Sequence, residues 1–281
     1  MASGSVAYVQ RVVDGQRLRA YRLHQAAPDA PIVAMVHGLE SSWETWCALR
    51  RGCLEHFRLF ALDLPWAGQD GYYWCYARPA HEWLQLTLDL LPAPPAFVVA
   101  HSYGVNVVLE YLQRHSMPNL AGLVLMSTFY RPDFAENDWM LFERCLKGFR
   151  AIFEEGIRLR RGKELDPALV SSMVDKVLDH VGPAGFTECF SHFLRSPTLR
   201  LDRIRVPALV IAGACDPGAT PVGNAALAAA LPTASFVLFP RSGHFAMLQQ
   251  PDLVERAFRD FLTQHRPELL PPAVVSVDRW R

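Results

Sequence analysis

The chain has 281 residues, with 28 lysines and arginines against 28 aspartates and glutamates, and neither sign gathers into a long run. That balance excludes the basic footprint of a nucleic-acid binder or of a protein held to an anionic membrane, and points to a small, largely apolar substrate. No stretch reaches the roughly 20 apolar residues of a membrane span, and the length suits a single sheet wrapped by helices.

Two β-rich runs, Val6 to Val13 and Leu18 to Leu23, flank Asp14-Gly15-Gln16, which supplies the turn of an opening hairpin. Before them, Met1 to Tyr8 lack the basic start, apolar stretch and cleavage site of a secretion signal. Short continuous apolar runs follow at Ile32 to Val36, Leu59 to Leu62, Phe97 to Ala100 and Leu120 to Met126. Runs without alternation belong to strands buried on both faces, as in a parallel sheet, and the spacers between them are long enough for crossover helices. Pro79 to Leu91 reads as a helix with one broad apolar face, and Val105 to Arg114 as a helix that follows the Phe97 strand through a sharp turn.

From Phe129 to Leu201 the chain becomes charge-rich and helix-like, with scattered phenylalanines and breakers at Pro132, Pro167, Pro183 and Pro197. This segment, residues 129–201, is expected to form a helical cap inserted into a core made of residues 1–128 and 202–281. The strand pattern resumes at Ala208 to Ala212 and Ser235 to Phe239, each followed by a helix, Pro221 to Ala230 and Pro251 to Thr263. The tail from Pro267 is Pro-rich and expected to attach loosely. The six cysteines, Cys47, Cys53, Cys75, Cys145, Cys189 and Cys215, show neither Cys-x-x-Cys nor zinc spacing. Reduced thiols in a cytoplasmic protein, with no metal, are the corresponding expectation.

Ala100-His101-Ser102-Tyr103-Gly104 carries the chemistry. It lies between a strand and a helix, the place where a nucleophile elbow holds a serine in strained backbone and demands small residues two before and two after it. Ala100 and Gly104 meet that demand, and the helix N-terminus favours developing negative charge beside Ser102. A serine hydroxyl needs a base, and the base needs an acid to hold its tautomer. Asp216, in Gly213-Ala214-Cys215-Asp216-Pro217, and His244, in Ser242-Gly243-His244-Phe245, each follow a strand at the edge where open α/β sheets place their sites.

Taken with His37-Gly38 followed by Ser41, Ser42 and Trp46, and with Asp63-Leu64-Pro65-Trp66-Ala67-Gly68, these motifs make nearly the whole chain resemble the α/β-hydrolase superfamily. The second of these is similar to the loop that superfamily writes as Asp-Leu-Pro-Gly-His-Gly. The resemblance implies an α/β-hydrolase fold: a mostly parallel central sheet, helices on both faces, and an inserted helical cap. It also implies the chain order Ser102 nucleophile, Asp216 acid, His244 base, with backbone N–H groups of Leu39 and Tyr103 forming the oxyanion hole. Three positions depart from the pattern: Ala100 stands for the first elbow glycine, Val105 for a frequent second glycine, and Trp66-Ala67 for Gly-His. The last two make a bulkier wall near the elbow.

Candidate substrate-pocket residues are His37, Trp66, Trp139, Phe142 and Phe245. Of these, His37 is expected to pack or hydrogen-bond near its loop rather than to do acid-base work, and the aromatics either line a pocket or fasten the cap. The expected activity is hydrolysis of an ester or thioester of a hydrophobic acyl or aromatic substrate through an acyl-enzyme, without a cofactor. The substrate is a small molecule, a carrier-bound acyl thioester included. Carbon-carbon bond hydrolysis or a lyase reaction with the same triad, and a hydrolase scaffold that only binds a hydrophobic ligand, are the alternatives. Haloalkane and epoxide hydrolysis are disfavoured, because related enzymes for those reactions carry aspartate where Ser102 stands. No Gly-x-x-x-x-Gly-Lys loop, Gly-x-Gly-x-x-Gly turn or His-Glu-x-x-His helix supports a nucleotide or metal enzyme.

Overall fold

Strand β1 (Val9–Val13) turns back onto β2 (Gln16–His24), with Val13 opposite Gln16. The turn is the two residues Asp14 and Gly15, whose φ values of 48° and 77° give the primed geometry that matches strand twist. Gln16, expected in the turn, is therefore the first residue of β2. The computed structural model describes residues 7–49, 52–135, 138–162 and 164–270; Val6, read as the start of β1, lies outside the described residues.

Six further strands follow: β3 (Ile32–Val36), β4 (Arg58–Asp63), β5 (Phe97–His101), β6 (Gly122–Met126), β7 (Ala208–Gly213) and β8 (Ala234–Phe239). They form one eight-stranded sheet in the order β1-β2-β4-β3-β5-β6-β7-β8, antiparallel at β1-β2 and β2-β4 and parallel elsewhere. The four strands β3, β5, β6 and β7 are buried along their whole length, which is why their sequences do not alternate. Successive side chains nevertheless go to opposite faces. Ala34, Val36, Val98, Ala100, Leu123, Leu125 and Val210 join one core, whereas Val33, Met35, Phe97, Val99, Val124, Met126, Leu209 and Ile211 join the other. β8, at the sheet edge, is only partly buried.

Helices cover both faces. Short α1 (Trp74–Ala77) leads into α2 (Ala80–Leu88), and α3 (Tyr103–Arg114) joins α2 in covering the first core. α6 (Pro221–Ala230) also lies on that side, through Leu227 and Ala228. Short α7 (Ala246–Gln249) and the longer α8 (Pro251–His265) cover the second, α8 through Val254, Phe258, Phe261 and Leu262. The helix expected over Pro79 to Leu91 ends at Leu88.

Between β6 and β7 the chain makes a long helical excursion of α4 (Trp139–Arg161) and α5 (Pro167–Arg195), which pack on each other. Asp138 caps α4 by accepting from the Leu141 N–H at 2.9 Å. Asp166 caps α5 by accepting from Ala168 and Leu169 at 2.7 and 3.2 Å, with Pro167 at the first helical position. Gly182, at φ 59°, and Pro183 bend α5 in its middle. At the C-terminal side Pro267–Leu269 makes a short turn, and Leu269 and Leu270 pack against the second core, so the described part of the tail is attached; residues 271–281 lie outside the described residues. None of the six cysteines is joined in a disulfide. Among the described residues no helix is long and apolar enough to cross a membrane.

Candidate active site

Ser102 sits between β5 and α3 with φ 54° and ψ −127°, a backbone conformation that costs a non-glycine residue about 1–3 kcal/mol. The surroundings hold it there. Its N–H donates to the Met126 carbonyl at 2.8 Å and its own carbonyl accepts from Val105 N–H at 2.9 Å. The elbow also needs close approach to the neighbouring loop: a Cβ at Gly104 would lie 2.5 Å from the His37 carbonyl oxygen.

His244 joins the other two side chains. Its Nε2 lies 2.9 Å from Ser102 Oγ and its Nδ1 lies 2.8 Å from Asp216 Oδ2. The second Asp216 oxygen accepts from the N–H groups of Gly218 at 3.0 Å and Ala219 at 2.8 Å. With the carboxylate accepting from Nδ1–H, the Nε2 lone pair is left to face the serine hydroxyl. All three residues are buried, so the chain of hydrogen bonds operates away from bulk water.

The loops that carry Asp216 and His244 meet because Gly213 has no side chain. A Cβ there would lie 2.2 Å from the Gly243 carbonyl oxygen and 2.4 Å from that of Ser242. Gly213→Ala is expected to cost about 1–3 kcal/mol through forced backbone shifts, read as a lower thermal midpoint, and to lower turnover as well because the displaced atoms belong to the histidine loop. A variant with the parental midpoint and rate would show that this contact does not position the loop.

Two residues that motif reading missed brace His244. Glu155, from α4, accepts the His244 N–H with both carboxylate oxygens at 3.1 Å and takes Gln249 Nε2 at 2.7 Å. Burial pushes the Glu155 carboxyl above its ordinary range, and the His244 N–H opposes that shift. The His101 Nε2 lies 2.9 Å from the His244 carbonyl oxygen, to which it donates. Burial holds His101 well below the usual imidazole range, so it is a neutral brace. The signal for Glu155 was present in sequence: an acid lies on the stripe of α4 that also carries Gly148, Ile152 and Leu159.

A cavity of about 160 Å³ opens at Ser102 and His244, and its apolar walls include Phe129, Phe149, Ile152, Phe153 and Phe245. Leu39 lies on this wall, next to the Gly38 that touches the elbow. Tyr103 opens α3, so its N–H has no acceptor in its own helix; its ring is buried and its hydroxyl donates to Glu188 at 3.1 Å. A wider groove of about 710 Å³ between the helical excursion and the core shares Phe129, Phe149 and Cys189 with the first cavity.

Of the five pocket candidates only Phe245 lines the cavity at Ser102. His37 and Trp66 are instead fully buried stitching: His37 Nε2 accepts from Leu64 N–H at 3.1 Å, its Nδ1 lies 2.7 Å from the Gly38 carbonyl, and Trp66 Nε1 donates to the His37 carbonyl at 2.9 Å. Burial lowers the His37 imidazole, keeping it neutral. Trp139 is 70% exposed and stacks on Phe142, which packs on Phe186 and Phe190 within the helical pair. Trp139 begins its helix, where the apolar stripe has not yet met the core. Phe142 faces α5 instead of Ser102.

Known proteins share this fold. The profile of the Alpha/beta hydrolase family matches residues 33–257. A probable oxidoreductase, EphD, of Mycobacterium tuberculosis is 31% identical over 106 residues, 36% of this chain, and the match spans only 18% of that protein's length. An (E)-2-((N-methylformamido)methylene)succinate hydrolase of Acinetobacter baylyi is 22% identical over 83% of this chain and 90% of its own. Among solved structures, the enol-lactonase of Burkholderia xenovorans superposes with a TM-score of 0.63 at 22% identity, covering 91% of this chain and all 100% of that one. A thermophilic esterase of Thermogutta terrifontis gives 0.56 at 21% identity, covering 94% and 100%. The structural likenesses concern the fold, and with the match to the family profile they lead to one statement: the chain belongs to the alpha/beta hydrolase family.

Proposed function

We propose that the chain is a serine hydrolase that cleaves an ester or thioester of a hydrophobic acyl or aromatic substrate through an acyl-enzyme. The observation that carries this reading is the unbroken path from Ser102 Oγ through His244 to Asp216, at 2.9 and 2.8 Å. Ser102 Oγ attacks the carbonyl carbon while His244 Nε2 takes the hydroxyl proton, and Asp216 stabilises the imidazolium that forms. The oxyanion takes hydrogen bonds from the N–H groups of Leu39 and Tyr103. The alcohol or thiol leaves with the proton from His244, and a water activated by the same imidazole then frees the acid.

Residues 129–201 act as a cap whose α4 supplies both the cavity wall and the Glu155 brace. A short acyl group fits the cavity of about 160 Å³, and longer groups extend past Phe129 and Phe149 into the wider groove. Esters of graded chain length are therefore expected to separate the wall from the surface: Phe149→Ala shifts the preferred length, and Trp139→Ala leaves the profile within about twofold. Equal shifts from both substitutions would contradict this assignment of the wall.

Burst kinetics test the reaction itself. A p-nitrophenyl ester and an acyl thioester are each expected to release their leaving group in a burst stoichiometric with enzyme when deacylation is made limiting. Turnover of neither, by folded protein, would overturn the proposal.

A further inference from the structure

Arg160 lies on the wall of the cavity that contains Ser102 and His244. Phe149, Phe153, Gly156 and Arg160 follow one another along the inner stripe of α4, and all four line that cavity. Every wall residue they face from α5 or from the loop after β6, Val177, Cys189 and Phe129, is apolar. Arg160 is itself an exposed residue, so its guanidinium brings a water-accessible charge to the edge of an otherwise apolar wall. Among the described residues its one hydrogen bond goes to Ser41 Oγ at a long 3.4 Å, and no carboxylate comes within ion-pair distance. Its charge is felt at His101 and His37, the residues flanking the nucleophile and the oxyanion loop.

The charges of Glu44 and then Glu40 reach Arg160, and of these two acids it is Glu40 that lines the cavity. It is engaged elsewhere: its Oε1 accepts from the Tyr72 hydroxyl at 2.7 Å, with His180 Nε2 at 3.8 Å. Burial also raises the Glu40 carboxyl toward its neutral form, so it opposes a second anion in the cavity less than a free carboxylate would. Most of the five N–H donors of Arg160 are thus left to water and to whatever enters the cavity.

We infer that Arg160 anchors a carboxylate carried by the acyl part of the substrate, so that the preferred esters are those of short acids bearing a second, free carboxylate. The inference rests on the serine-hydrolase reading and narrows it. A planar fork of N–H donors fits a carboxylate with two parallel hydrogen bonds, a geometry that a neutral acyl end cannot satisfy. The cavity of about 160 Å³ limits the acyl group to a few carbons between the reacting carbonyl and the anchored carboxylate. The substrate is then amphipathic, with a methylene chain against Phe149, Ile152 and Phe153 and one charge at the far end.

The test compares mono-p-nitrophenyl glutarate with p-nitrophenyl valerate, similar in length and leaving group and different in charge, using the full chain. The wild type is expected to favour the glutarate ester by at least about tenfold in kcat/KM. In Arg160→Met the ratio of the two kcat/KM values is expected to fall roughly 30- to 100-fold, mostly through KM of the anionic ester. Arg160→Lys, which keeps the charge and loses the fork, is expected to recover part of the ratio. A ratio near one in the wild type, or the same ratio in all three proteins, would overturn the anchor while leaving ester hydrolysis standing. Should the wild type hydrolyse neither ester, calorimetry with monomethyl glutarate decides: binding that Arg160→Met abolishes sustains the anchor and sinks the hydrolase reading, and absence of binding sinks the anchor too.

Discussion

Ser102→Ala is expected to lower kcat/KM on a p-nitrophenyl ester by roughly 10⁵- to 10⁶-fold, with the thermal midpoint close to that of the wild type. The magnitude follows from the geometry. Among the described residues the hydroxyl is the one oxygen hydrogen-bonded to His244 Nε2, at 2.9 Å, and its removal leaves only the amide donors and binding of the substrate to assist attack by water. The elbow itself is held by main-chain hydrogen bonds to Met126 and Val105, which alanine keeps. Steady-state rates together with a melting curve check this, and a folded variant retaining more than about one hundredth of the parental rate would remove Ser102 from the nucleophile's role.

Asp216→Asn is expected to be the next most severe change, with kcat down by roughly 10,000-fold. Asparagine preserves the shape of the side chain, and its carbonyl can still accept from Gly218 and Ala219, which now hold Asp216 Oδ1 at 3.0 and 2.8 Å. That choice turns the amide NH₂ toward His244 Nδ1. A donor there requires Nδ1 to accept, which moves the ring proton to Nε2 and leaves no lone pair facing Ser102. The defect is therefore one of tautomer, so kcat should fall far more than stability. A loss below about tenfold would mean that the carboxylate does not set the imidazole's orientation.

Much of this was legible in the chain before any coordinates. Continuous apolar runs such as Ile32–Val36 mark strands buried on both faces, and they occupy the centre of the sheet. Small residues around Ser102 mark a sharp strand-to-helix turn, and Asp216 and His244 are singled out by lying just past their own strands in the chain order that the resemblance implies. The edges were less legible. Gln16 looked like turn and became strand, because two residues of positive φ already complete the hairpin.

Side-chain roles away from the motifs depended on which way each helix faces, and composition does not report that. His37 is a pocket candidate for its place on the loop after the Ile32 to Val36 strand, and Trp66 for standing where the superfamily pattern has Gly-His, yet the two join loops to each other instead. Trp139 was placed there for its size and lies in solvent. Conversely, Glu155 and Arg160 are ordinary surface residues by type and count for the site only because α4 lays its inner stripe over Ser102 and His244. A charge on a stripe that is otherwise apolar is the pattern that would have singled both out.

The most direct measurement for the whole account is covalent labelling with a fluorophosphonate, followed by intact-protein and peptide mass spectrometry. One adduct on the Ser102 hydroxyl of the native protein is expected, absent from Ser102→Ala and much slower in Asp216→Asn, because phosphonylation needs the same activated oxygen as acyl transfer. A native protein that takes no label, or a Ser102→Ala variant that labels at the parental rate, would contradict it.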